Sequence, residues 1–243
     1  EPSGQFRGFG NLQASFCWES HLDTVAEGLG MDPTDLRMRN FTEPGETTVH
    51  GWRISTCGIR ECVEKVAESI GWHEKRNTND PNGSATIRGV GLACTIHVTS
   101  NSTHASHFRN GKDEAEGEVM IDSNGQVSVL SGEAELGEGA ATVMALIAAE
   151  ELGADYQAIQ VPHVDTFRHP FGLGTYASRA TFMGGHATLL AARSAKVELL
   201  KRASEILEVD PPELVAENER IFVKGTPARS LSFGEVIEQT GGK

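Results

Sequence analysis

Glu118-Val119-Met120-Ile121-Asp122-Ser123-Asn124-Gly125-Gln126-Val127-Ser128-Val129-Leu130 is the stretch on which the fold turns. Two short runs rich in β-branched residues flank Asn124-Gly125, a dipeptide that tolerates the positive φ angles of a tight turn. The segment therefore predicts a β-hairpin over 118–130. Downstream, Thr142–Leu152 carries apolar residues at helical spacing, Ile159–Val164 is strand-like, and Ser178 to about Leu207 predicts a long helix. Strands thus alternate with helices, and the expected class is mixed α/β (α+β), with helices packed on mixed sheets.

Working upstream, Leu12, Phe16, Leu22, Val25 and Ala26 suit a helix that ends near Gly28 or Gly30. Asp32-Pro33-Thr34-Asp35 reads as an N-cap with Pro at the first helical position. Ile59, Cys62, Val63, Val66 and Ile70 recur at steps of three and four, predicting a helix over 58–70 that Gly71 stops. Residues 73–85 are almost devoid of apolar side chains and rich in Asn, Asp, Pro and Gly, so they read as an exposed connection. Two parts are expected: a helical segment over 1–75 and an α/β part over 86–243, the latter opening with an extended run from Ile87 to Val98. Near the end, Asp210-Pro211-Pro212-Glu213 and Ser232-Phe233-Gly234-Glu235 both read as helix starts, with Glu at the third position.

The chain has 243 residues, 21 basic and 34 acidic, for a net charge of −13. No Lys/Arg run is long enough to track a phosphate backbone, which argues against nucleic acid. No basic-then-apolar leader and no apolar run of about 18 residues is present, so no membrane insertion is encoded here. Cys17, Cys57, Cys62 and Cys94 form no CxxC pair and read as free thiols, which fits a reducing, cytoplasmic setting. The sequence begins Glu1-Pro2-Ser3-Gly4 and meets its first site-like motif only about five residues in. We therefore read it as a piece of a longer protein.

That motif is Gln5-Phe6-Arg7-Gly8-Phe9-Gly10. It puts an Arg fork between two aromatics and frees the backbone on both sides with glycine, a combination suited to an oxyanion and a flat ligand. Glu135-Leu136-Gly137-Glu138-Gly139 sits between a predicted strand and helix, where helix N–H groups can cradle an anion. Its bland alternative is a sterically required turn. It lacks the Lys-Ser/Thr pair of a Walker loop and the six-residue dinucleotide fingerprint. Gly172-Leu173-Gly174-Thr175-Tyr176-Ala177-Ser178-Arg179-Ala180-Thr181 repeats the logic with hydroxyl donors and one cation. Its alternative is a Ser178 cap beside a solvated Arg179. His97, His104 and His107 crowd one loop, but their spacing matches no standard ligand pair. Ser178, His163 and Asp165 lack the nucleophile elbow of a hydrolase.

Taken in order, these three motifs resemble the large, molybdopterin-binding subunit of the xanthine oxidase family of molybdenum hydroxylases, and the likeness runs over essentially the whole chain. The run from Asp165 to Ala187 looks most like the hydroxybenzoyl-CoA reductase branch. The resemblance implies part of a molybdenum cofactor-binding domain. Phe6 and Arg7 would lie beside the cofactor, with Arg7 acting in catalysis, while Phe9 and Tyr176 would contact a planar substrate. Gly137, Glu138 and Gly139 fall on the family's Gly-Gln-Gly segment, with Glu138 in place of the usual Gln. That Glu would accept hydrogen bonds from pterin N–H groups. Ala177, Ser178, Arg179 and Thr181 fall on the stretch that holds the cofactor's tail.

The implied cofactor is molybdopterin, either the simple pterin or its cytosine dinucleotide, with no residue of this chain bound directly to the metal. Iron-sulfur clusters and FAD would reside in other subunits or domains. The substrate would be a small planar heterocycle, an aldehyde or a thioester, in a hydroxylase of the xanthine dehydrogenase or aldehyde oxidase type or a related reductase. The family's catalytic Glu belongs to a Gly-x-Gly-Glu motif that does not occur in this chain, so the chain would be catalytically incomplete alone. Two rivals are a non-catalytic phosphate- or nucleotide-binding module and an assembly module.

Overall fold

A computed structural model describes residues 7, 8, 10–49, 51–76, 89–97 and 114–241. The chain divides into two compact units, Glu1–His97 and Val98–Lys243. Residues 89–97, which the sequence places at the start of the second part, fall in the first unit.

The first unit is helical. Helix α1 (Asn11–Gly28) follows Gly10, whose φ of 87° supplies the left-handed entry. Helix α2 (Pro33–Asn40) starts as predicted: the Asp32 carboxylate accepts from the Thr34 amide at 2.8 Å, and Pro33 occupies the first turn. Helix α3 (Ile59–Ile70) buries Val63 and Ala67 on one face and ends at Gly71, φ 66°. The short helix α4 (Trp72–Arg76) stands where a connection was expected. Its reason is Trp72, which is buried with Val63, Ala67 and Leu92 and whose indole N–H donates to both Asp32 oxygens at 3.1 Å.

Among the described residues 89–97 no strand forms, contrary to the extended run expected there. The backbone of this segment is taken up by side chains of α1: Asn11 Nδ2 donates to the Ile96 carbonyl at 3.0 Å, and the Cys94 amide donates to Glu19 at 2.8 Å. Glu19 also pairs with the buried Arg37 at 2.8 Å, so one carboxylate joins α1, α2 and this segment.

Burial by itself pushes the Asp32 carboxyl up, but hydrogen bonds from the Thr34 hydroxyl, the Thr34 amide and Trp72 outweigh it and hold it below its ordinary value. A depressed folded pKa means a stabilisation present above the unfolded pKa and lost as pH falls through the folded one. Asp32→Ala is expected to cost about 2–4 kcal/mol, combining a lost cap with an unpaired buried indole N–H. Its acid-side melting curve should be flatter than the wild-type curve. Parallel curves would remove Asp32 from that role.

The second unit holds two three-stranded sheets among its described residues. In the first sheet β1 (Gly117–Ile121) pairs antiparallel with β2 (Val127–Ser131), Val119 opposite Val129, with Gly125 at φ 84° in the turn. This is the predicted hairpin. Helix α5 (Ala140–Leu152) then leads to β3 (Ile159–Gln160), which runs parallel to β2. The strand expected to Val164 stops at Gln160 because Pro162 has no amide to add to the ladder.

Helix α6 (Gly185–Leu207) lies along α5, and the two bury Met144, Ala148, Leu152, Ala192 and Leu199 against Val127 and Val129. Each large apolar side chain so buried contributes roughly 1.5–3 kcal/mol. The second sheet is an antiparallel meander of β4 (Leu214–Glu217), β5 (Arg220–Val223) and β6 (Thr226–Ser232). The predicted helix start at Asp210 yields only a 3-10 turn, Pro211–Glu213, before β4. Asn218 and Glu219 make the next turn at φ 51° and 54°, which turn-residue rules built on Asn-Gly do not single out. Helix α7 (Phe233–Gln239) opens with the expected capping box of Ser232 and Glu235.

Candidate functional site

The site-like residues of the second unit gather where two backbones meet without side chains between them. A Cβ on Gly132 would lie 2.3 Å from the Gly172 nitrogen, and one on Gly172 would lie 2.6 Å from the Gly132 carbonyl carbon. Only glycine at both positions permits this approach. It brings the loop after β2 against the loop that leads into α6, so two motifs about forty residues apart in sequence become neighbours.

Arg179 locks them together. Its side chain and that of Glu133 are fully buried and pair at 2.5 Å. The same guanidinium donates to the Gly174 carbonyl at 2.8 Å and the Glu114 carbonyl at 3.0 Å, and lies 5.8 Å from the centre of the Tyr176 ring. The Thr175 hydroxyl adds a bond to the Ala134 carbonyl at 2.6 Å. Arg179 is therefore an internal clamp, not the solvated side chain of the bland sequence reading. Gly184 makes room for the pair, since a Cβ there would sit 2.4 Å from Glu133 Cγ.

Beyond the clamp, Ala177 and Ser178 are left-handed, φ 46° and 55°, a conformation non-glycine residues hold only under surrounding constraint. The expected helix does not start at Ser178. It begins as a π-helical turn, Ala180–Gly184, before α6, and Ser178 caps nothing. The Ser178 and Thr181 side chains are exposed instead and line an open groove of about 1090 Å³ with Phe182, His186 and Leu190.

The glycine loop also turns through the left-handed region, with Gly137 at φ 99° and Gly139 at 92°, which glycine adopts without strain. Its amides do form an anion cradle, and an anion from the chain itself sits in it. Glu135 Oε1 accepts from the Gly137 and Gly139 amides at 2.7 and 3.1 Å, and Oε2 accepts from the Ala141 amide at 2.9 Å. Those backbone bonds, from Ala141 first and then Gly139 and Gly137, hold the Glu135 carboxyl below its ordinary value. Glu138, exposed, accepts from the Leu136 amide at 2.8 Å. Sequence reasoning quoted Glu135 but assigned it no role. The usable signal was an acidic residue just outside a glycine-opened helix that lacks its own capping side chain.

In the first unit, Arg7 is exposed, and Gly8, φ 80°, accepts from the Asn11 amide at 2.9 Å. Phe6 and Phe9 lie outside the described residues, as do His104 and His107 of the histidine-rich loop. Among the described residues no His, Cys, Asp and Glu cluster is arranged to hold a metal ion. All four cysteines are free. The carboxylate of Asp165 accepts locally from the Phe167 amide at 2.8 Å, closing its own turn. No helix among the described residues is long and apolar enough to cross a membrane.

The profile of a molybdopterin cofactor-binding domain family matches residues 65–242, and a second molybdopterin cofactor-binding domain profile matches residues 1–41. The xanthine dehydrogenase molybdenum-binding subunit of Escherichia coli O157:H7 is 32% identical over 232 residues, 94% of this chain and 30% of that protein. Among solved structures, reconstituted CO dehydrogenase from Oligotropha carboxidovorans superposes with a TM-score of 0.75 at 28% identity, over 94% of this chain and 30% of its own. Quinoline 2-oxidoreductase from Pseudomonas putida 86 superposes at 0.78 with 25% identity, over 97% and 31%. The chain spans about 30% of the length of the curated relatives it matches.

Proposed function

Because this chain belongs to the molybdopterin cofactor-binding domain family, we propose that it supplies the pterin- and phosphate-holding loops of a molybdenum-dependent oxidoreductase of the xanthine dehydrogenase or aldehyde oxidase type. The observation that carries the reading is the glycine-to-glycine approach that unites the Gly137 and Ser178 loops. The donor set fits the group. Ser178 and Thr181 present exposed hydroxyls, suited to the oxygens of a phosphate, and Glu138 presents an exposed carboxylate, suited to N–H donors of a pterin edge. Arg179 serves these residues by shaping the loop that carries them, with Ala177 held beside Ser178 in the strained turn.

When bound, the molybdenum cofactor supplies the redox chemistry. The chain's own residues orient the cofactor and shape its surroundings. Arg7 is proposed to place its cation beside the reacting centre and Phe9 to stack on a planar substrate, with Phe6 against the cofactor and Tyr176 toward the substrate. The whole enzyme is proposed to exchange electrons through iron-sulfur and flavin parts on other subunits or domains, as a hydroxylase or a related reductase. Its substrate would be a planar heterocycle, an aldehyde or a thioester, with the Asp165–Ala187 run as the basis for a hydroxybenzoyl-CoA reductase-like placement. The four free thiols support a cytoplasmic setting. The rival phosphate-binding module is disfavoured by Glu135, which already fills the glycine-loop cradle.

Molybdenum and pterin content should be measured for this chain purified alone and beside the remainder of a molybdenum subunit. Cofactor in the reconstituted sample is the expected result. Folded samples without cofactor in either case would refute the reading. In the complete enzyme, Arg7→Ala is expected to lower turnover about 100-fold or more, as for loss of a charge-stabilising donor, with molybdenum content near normal. Phe9→Ala should chiefly raise KM. Loss of molybdenum in the first variant, or unchanged kinetics in the second, would count against these assignments.

A further inference from the structure

Helix α5 opens without a cap of its own: Gly139 at the N-cap has no side chain, and no acidic residue stands in the first turn. The vacant capping role is filled from four residues upstream by Glu135, whose two oxygens take the amides of Gly137, Gly139 and Ala141. Glu135 is itself held at the clamp, because its neighbours Glu133 and Ala134 are bonded to Arg179 and Thr175 of the other loop. A chain of contacts thus runs from the Ser178 loop through Glu133 and Ala134 to Glu135 and on to the glycine turn.

We propose that Glu135 is the positioning residue of the cofactor site, a built-in anion that shapes the Gly137–Gly139 turn and keeps phosphate out of it. This rests on the function proposed above and narrows it. A second anion on the same amides would meet the Glu135 charge at contact distance, so the ligand edge that faces this loop is neutral and donates hydrogen bonds. Glu138 is the acceptor beside it. Phosphate is left to the hydroxyls of Ser178 and Thr181.

The test uses the complete molybdenum subunit carrying this chain, as wild type and as Glu135→Ala, with melting temperature and molybdenum occupancy measured in sodium formate and in sodium chloride of equal ionic strength. Removing the carboxylate is expected to lower the equilibrium constant for forming the turn by about five-fold, the usual effect of losing a helix cap, and to lower the melting temperature and molybdenum occupancy with it. Formate re-enters the emptied cradle, so it should restore both readouts in Glu135→Ala and leave wild type unchanged. Inorganic phosphate should act like formate on the variant alone. Wild-type occupancy in the variant, or a loss that formate does not reverse, would overturn the proposal.

If Glu135→Ala fails to fold, Glu135→Gln carries the test. It keeps the shape but turns an amide N–H toward backbone donors, so occupancy should fall and formate should not help. Occupancy equal to wild type would again overturn the proposal. Wild type without molybdenum would defeat the cofactor-binding reading, while formate rescue of the Glu135→Ala melting temperature would still decide the role of Glu135.

Discussion

Arg179→Ala is expected to destabilise the Val98–Lys243 unit by about 3–5 kcal/mol, the cost of leaving one member of a buried ion pair without its partner. Neither side chain of the pair reaches solvent, so Glu133 would keep its charge in the interior or take up a proton. The carbonyls of Gly174 and Glu114 would lose donors as well. Denaturant midpoints at neutral pH should report the loss. Replacing both members with apolar residues, Glu133→Leu with Arg179→Met, should recover much of the stability, since well-packed apolar pairs replace buried ion pairs at little cost. Cofactor occupancy should not recover with it, because the apolar pair cannot hold the Gly174 carbonyl. A single-variant loss under about 1 kcal/mol would mean that water reaches the pair and that the clamp is not what joins the loops.

Gly172→Ala is expected to be the second most damaging change, although it adds only one methyl group. The new Cβ would lie 2.6 Å from the carbonyl carbon and oxygen of Gly132, backbone atoms that cannot rotate away. Overpacking of this kind costs about 1–3 kcal/mol. In a unit of this size that corresponds to a melting temperature lower by roughly 3–10 °C. The loops must separate to admit the methyl, which strains the Ala115–Gly172 bridge and the bond from the Glu116 amide to the Phe171 carbonyl at 2.9 Å. Helices α5 and α6 should remain folded, because Ala148, Leu152, Ala192 and Leu199 also belong to their shared core. The signature is therefore near-normal helical circular dichroism with lost cofactor occupancy. A variant that melts and loads like wild type would show that the two loops do not depend on each other's backbone.

Much of the local structure is legible in the sequence alone. The Asn124-Gly125 hairpin, the Asp32-Pro33 helix start, the helix closed by Gly71 and the Ser232–Glu235 capping box all rest on interactions within a few residues. Local chemistry is enough to specify them. The errors fall where distant partners decide. Residues 89–97 look like a strand, but side chains of α1 take their backbone groups. Residues 73–76 look like the start of a loop, but the burial of Trp72 and its bond to Asp32, forty residues away, draw them into a helix. The first turn of the β4–β5–β6 meander went unseen because Asn218-Glu219 carries no glycine, unlike the Gly225 turn that follows β5.

The candidate site divides along the same line. Its residue types and their order, glycines before helices with hydroxyls, an Arg and aromatics in sequence, are properties of the chain as written, and they determined its kinship and the cofactor class it serves. Which polar groups face a ligand and which face each other depended on the tertiary structure. Arg179 reads from sequence as a cation for a phosphate and is in fact neutralised by Glu133, and Glu135 reads as a passing charge and in fact occupies the cradle. Exposed Glu135 takes its donors from the backbone of its own loop, whereas for Arg179 the reason is that a buried charge gains most from the partner that shares its low-dielectric surroundings. That partner is chosen by the approach of Gly132 to Gly172, which only the folded chain brings about.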